Sequence, residues 1–116
     1  MTGFARILVA VMAALTLLAP LTVPPARADD RLDFTGTTVD GAPFNGASLA
    51  GRPAVLWFWT PWCPFCNQEG PSVSHVAAAN PQVTFVGIAT RADAAAMRDF
   101  IDKYHLGFTN LNDADG

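Results

Sequence analysis

WFWTPWCPFC, residues Trp57 to Cys66, holds both cysteines of this 116-residue chain and all three of its tryptophans. Two phenylalanines and two prolines stand among them. That is more apolar bulk than a surface loop carries, so the thiol pair must rest against something solid. Just upstream, Ala54–Trp59 is a continuous apolar run of strand length, which predicts a strand buried on both faces. Downstream, a helix is expected from about Cys63 to Ala79, with Pro64 tolerated in its first turn and Pro71 introducing a kink.

Cys63-Pro64-Phe65-Cys66 therefore puts two sulfurs three residues apart at the start of a helix, on one face and able to close a small ring. Position 63 lies where free backbone N–H groups and the positive end of the helix dipole stabilise a thiolate. Position 66 lies a turn deeper and less exposed. An ordinary thiol of pKa about 8.5 is about 3% ionised at pH 7, whereas cysteines in such motifs reach roughly 3.5 to 7. A depression of about three units adds roughly 90 mV of oxidising power to a two-electron couple. The environment of one sulfur thus decides whether such a pair donates or removes disulfides.

Other uses of two cysteines have less support in the sequence than exchange. A structural staple across so short a loop removes little unfolded-state entropy. A zinc site needs two further ligands, and the only histidines, His75 and His105, are thirty residues apart. Cys63 as a hydrolase nucleophile has no local support. Neither a metal nor a cofactor is expected. His75 reads as a helix-surface residue and His105 as a cation at a helix end. Glu69, three residues past Cys66, faces the same side of the helix; it is either a solvated carboxylate or a partly buried group that exchanges a proton with Cys66. Asp113 and Asp115 read as a turn, because an EF-hand register would put Leu111 at the first ligand position.

The rest of the chain arranges itself around this unit. Leu32 to Phe44 alternates loosely around Asp40-Gly41 and predicts an amino-terminal hairpin. Gly46–Leu49 reads as a helical turn or loop. Val83–Ala89 is a second buried strand, and Asp93 opens a second helix to about Tyr104, with Met97, Phe100, Ile101 and Tyr104 on its core face. Strand, helix, strand, helix with short links gives an α/β layer structure with a right-handed parallel crossover. Two parallel strands and a hairpin leave that sheet unfinished, and the closing NDADG is a turn signal pointing to a further element.

Residues 1–28 read as a secretory leader, apart from the domain at 29–116. Ile7–Ala19 is almost continuously apolar and Ala26-Arg27-Ala28 is a small-residue cleavage signal. Pro20 ends the apolar run short of the roughly 20 residues a membrane span needs. The remaining part has five basic residues against ten acidic ones, a formal charge of −5, so nucleic acid and anionic membranes have no electrostatic footing as partners. Outside the cytosol a dithiol is either oxidised for structure or used to exchange disulfides.

Phe58-Trp59, Trp62-Cys63-x-x-Cys66, Glu69 and Pro71 together resemble the thioredoxin superfamily. The pattern W-C-x-x-C-x-x-E-x-P is similar in particular to its exported TlpA, ResA and DsbE branch, and the region from Leu32 to the DADG end resembles secreted mycobacterial DsbE-type members. The resemblance implies a thioredoxin-like fold, Cys63 as nucleophile, Cys66 as resolving cysteine and Glu69 as the active-site carboxylate, with Trp62, Pro64 and Phe65 meeting the substrate. It implies an exported thiol-disulfide oxidoreductase acting on reduced or disulfide-bearing secreted proteins, with a redox recycling partner in the membrane or cell envelope. An oxidant is favoured. A reductase of apocytochrome or metallochaperone thiols and a binding module with an inert disulfide are the alternatives. Cytosolic thioredoxins carry a buried aspartate where this chain has Trp57, which shifts proton transfer to Glu69. The family's cis-proline loop and last strands have no counterpart before Gly116, so the fold is expected to be incomplete at the carboxyl terminus, poorly stable and with open sheet edges.

Overall fold

The computed structural model describes residues 30–116, and the leader assigned to residues 1–28 lies outside them. After a 3-10 turn at Asp30–Leu32 come strands β1 (Thr35–Thr37) and β2 (Pro43–Asn45), then a second 3-10 turn at Gly46–Leu49. The dithiol unit follows as β3 (Ala54–Trp59), helix α1 (Pro64–Ala79) and β4 (Thr84–Thr90). Helix α2 (Ala94–Tyr104) and β5 (Thr109–Asp113) complete the described chain.

β1 and β2 form the expected hairpin, pairing Gly36 with Phe44. Gly41 at its turn has φ +91°, a left-handed conformation that costs a residue without Cβ little. The larger sheet is parallel in the order β3-β4-β5. It corrects the two-strand expectation, since β5 pairs with β4 from Val86↔Thr109 to Thr90↔Asp113. The turn read in the closing NDADG begins as β5 ends, with Ala114 N–H donating to Asn112 Oδ1. α1 continues through Pro71 to Ala79. Asp93 caps α2 by accepting the Ala96 N–H at 2.8 Å, as an acidic residue opening a helix does.

Each face of the sheet has its own core. On the helix side, Trp59, Ala89, Met97, Phe100 and Leu106 are buried, with Trp57, Cys66, Ile101 and Tyr104 packed against them. Trp59 stacks on Phe100 with ring centroids 4.3 Å apart. On the hairpin side, Leu49, Val86 and Leu111 are buried against Leu32, Phe34, Phe44, Leu56 and Ile88. The outer edge of β5 is met by the hairpin, through a Thr38↔Leu111 bridge and the Val39 N–H donating to Asn110 O.

β4 is the central strand, with Val86, Gly87 and Ala89 buried. β3 is not buried on both faces as its apolar run predicts: Phe58 is 63% exposed and Val55 39%. The reason is its place in the sheet, because among the described residues it has β4 as its one neighbour and the hairpin core does not extend over Phe58.

Asn110 is the one polar residue among the buried side chains described. It accepts the Trp59 Nε1–H at 3.1 Å and donates to Phe108 O at 2.8 Å. Gly87, between them on β4, makes this possible: a Cβ there would fall on Asn110 Oδ1 and within 2.7 Å of Trp59 Nε1. A buried indole is thereby satisfied across three strands, and Trp59 is fixed directly beneath the loop that carries the cysteines.

Candidate active site

β3 delivers the chain to Thr60-Pro61-Trp62, and the turn closes with Cys63 N–H donating to Thr60 O at 3.2 Å. Cys63 is the N-cap of α1, extended at φ −80°, ψ 121°, with Pro64 just inside the helix. Proline suits that place, since its φ is preset and its missing N–H has no helical partner to lose. The Cys63 sulfur accepts the Cys66 N–H at 3.4 Å, so a thiol performs the task usually given to a serine or aspartate oxygen.

Both cysteines are free thiols and half-buried, but their chemistry diverges. Hydrogen bonds from the Cys66 thiol and from the Cys66 and Phe65 amides hold Cys63 below the ordinary thiol value, against desolvation and the Glu69 charge. Cys66, packed against the helix-side core, is pushed up by burial first, then by donating its proton to Cys63 and by the nearby charges of Cys63 and Glu69. One sulfur is stabilised as thiolate and the other as thiol.

Trp62, Pro64 and Phe65 are all exposed around Cys63, Trp62 at 65% and Phe65 at 74%. Trp62 is nonetheless held in place: its indole N–H donates to Arg91 O at 3.0 Å, and Arg91 is a non-glycine residue in the left-handed region. Of the two readings of Glu69, its position fits the solvated carboxylate. It is exposed, and its Oε2 accepts the Trp57 Nε1–H at 3.4 Å. Helical spacing gives its direction, toward the Trp57 indole that it meets.

Asn67 and Tyr104 were not anticipated. Asn67 donates to both Pro61 O and Cys63 O at 2.9 Å and accepts from Tyr104 Oη at 2.7 Å. No local pattern announces a contact spanning 37 residues; only Tyr104's place on the core face of α2 hinted at it. His75 and His105 share an exposed groove with Lys103 and Tyr104. Among the described residues, no three His, Cys, Asp or Glu side chains cluster as metal ligands would.

A parallel βαβ unit whose helix opens on a C-x-x-C cap, its outer thiol lowered and its inner thiol raised, defines the thioredoxin-like fold. The Redoxin family model matches residues 22–116, and the chain belongs to that family. It is 67% identical to the soluble secreted antigen MPT53 of Mycobacterium tuberculosis over 116 residues, covering 98% of this chain and 67% of the relative. The crystal structure of a secreted Mycobacterium tuberculosis disulfide oxidoreductase homologous to E. coli DsbE superposes with a TM-score of 0.75 at 76% identity, over 77% of this chain and 66% of that one. The thiol:disulfide interchange protein DsbE of Pseudomonas aeruginosa is 34% identical over 60% of this chain and 38% of its own length. This chain thus spans about two thirds of the length of the mycobacterial relatives.

Proposed function

We propose that the protein is an exported thiol-disulfide oxidoreductase that introduces disulfides into secreted client proteins. The observation that carries this reading is the split between Cys63, lowered by amide and thiol hydrogen bonds, and Cys66, raised by burial. Stabilising the thiolate of the reduced form makes the disulfide the stronger oxidant. The relatives' printed descriptions, secreted and disulfide oxidoreductase, support the setting, as does the leader-like sequence of residues 1–28.

In this reading the cycle begins with a Cys63–Cys66 disulfide. A client thiolate attacks the outer, Cys63 sulfur, forming a client–Cys63 bond and expelling Cys66, which takes up a proton. A second client thiolate then attacks the client sulfur of that mixed disulfide. The client leaves with its new disulfide, and Cys63 departs as the thiolate that its amide partners stabilise. The two electrons pass on to a disulfide of a recycling partner in the cell envelope. Glu69, within electrostatic reach of both sulfurs, serves as the proton acceptor and donor for Cys66. Trp62, Pro64 and Phe65 offer the apolar rim on which a client segment rests.

Replacing Cys66 with alanine stops the forward cycle at its start, but the Cys63 thiolate still attacks client disulfides in the reverse direction, and without Cys66 to displace them these clients are expected to accumulate on Cys63 as adducts that a reductant releases. Absence of any reducible adduct in cells secreting the variant overturns disulfide exchange. The reduction potential fixes the direction, with oxidants near about −120 mV and thioredoxin-like reductants near about −270 mV.

A further inference from the structure

The geometry points to Asn67 as a positioning residue for the dithiol, an amide clamp that ties the loop carrying Cys63 to helix α2. The inference rests on the exchange reading above and extends it to a side chain that touches neither sulfur.

The Asn67 carboxamide is engaged at both ends. Its Nδ2 donates to Pro61 O and Cys63 O at 2.9 Å each, and its Oδ1 accepts from Tyr104 Oη at 2.7 Å and Lys103 Nζ at 3.4 Å. Two acceptors on one side and two donors on the other leave a single orientation of the amide that satisfies all four. Pro61 lies between the end of β3 and the start of α1, where neither ladder supplies its carbonyl with a partner. The anchor is itself immobile: Tyr104 packs so closely on Gly70 that a Cβ there would stand 2.7 Å from the ring. Tyr104 also meets Phe100 edge-on, with centroids 4.7 Å apart.

The Cys63 sulfur meets the Phe65 and Cys66 amides only while the Pro61–Cys63 backbone holds its course. Asn67 fixes that course at two carbonyls. Without it, Pro61 O loses its partner and the loop is attached only through the Cys63 N–H, the Trp62 indole and the helical Asn67 N–H on Cys63 O at 3.1 Å, so the sulfur can swing off its donors. The charged and titratable groups around the clamp are Glu69 and the Cys66 thiol on α1, Lys103 and Tyr104 on α2, and Arg91 on the loop that holds Trp62. Asn67→Ala and Tyr104→Phe leave every one of these charges in place at neutral pH, so a change in Cys63 acidity reads geometry.

The experiment is the pH dependence of iodoacetamide alkylation at Cys63 in the reduced protein, with the adduct located by mass spectrometry. Asn67→Ala is expected to raise the midpoint by about one unit, the shift for losing one hydrogen bond to a charged group. Tyr104→Phe, which keeps the amide but frees its anchor, is expected to move it the same way by less. Should Asn67→Ala fail to fold by circular dichroism, Tyr104→Phe decides alone. Midpoints within about 0.2 units of the parent in the folded variants overturn the clamp. A parent midpoint like that of a free thiol is a different failure, one that sinks the exchange reading itself.

Discussion

At Cys63 and Cys66 the same few atoms pull two thiols in opposite directions, and the sign of each can be followed through pH. Cys63 is depressed, so its stabilisation of the reduced fold is present above the ordinary thiol pKa and fades as pH falls through its lowered value. Cys66 is raised, so its contribution is full below the ordinary thiol value and fades as pH rises through its elevated one. Between the two, the reduced protein carries one thiolate and one thiol. Reduction then consumes one proton instead of two, and the potential should fall by about 30 mV per pH unit in that window against about 59 mV on its acid side. Equilibration with glutathione buffers across pH measures this; a constant slope of about 59 mV up to the ordinary thiol pKa would show that Cys63 is not lowered. The cysteines, their spacing and their asymmetry were legible in the sequence because a strand-to-helix junction dictates them. The hydrogen bond from Trp57 to Glu69 was not, because it joins side chains twelve residues apart on different elements.

Among the elements, the close approach of α1 and α2 depends on Gly70. An alanine there gains about 1 kcal/mol of helix propensity, but its Cβ meets the Tyr104 ring, and overpacking of this kind costs about 1–3 kcal/mol. Gly70→Ala is therefore expected to lower the denaturant midpoint with an unchanged slope, whereas an equal or higher midpoint would show that the ring has room to move. β3, β4 and both helices were readable because each has one dominant period or an unbroken apolar run. β5 was missed for an identifiable reason: Thr-Asn-Leu-Asn-Asp contains weak strand formers, and it is extended because β4 and the hairpin give its backbone partners on both sides.

Over the whole described molecule, apolar surface is distributed unevenly. The helix side leaves Val55 39% exposed at the start of β3, whereas on the other side Phe58 stands largely in solvent on the same strand, which has one described neighbour. An apolar edge of this sort is a template for pairing with another chain. Residues 29–116 produced alone are expected to self-associate at micromolar concentration, and Phe58→Lys to shift them toward monomer in sedimentation velocity. Identical behaviour of the two would show that Phe58 is not the adhesive contact.

The placing of Trp57, Trp59 and Trp62 has an optical corollary. Every indole in the chain lies within six residues of Cys63, one hydrogen-bonded inside the core to Asn110, one to Glu69 and one at the rim to Arg91. Intrinsic fluorescence from this protein is consequently a local signal. Its emission would report the opening and closing of the sulfur pair through Trp57 and Trp62, and unravelling of the hairpin through Trp59 alone, because Val39 shares the Trp59 core and bonds to Asn110.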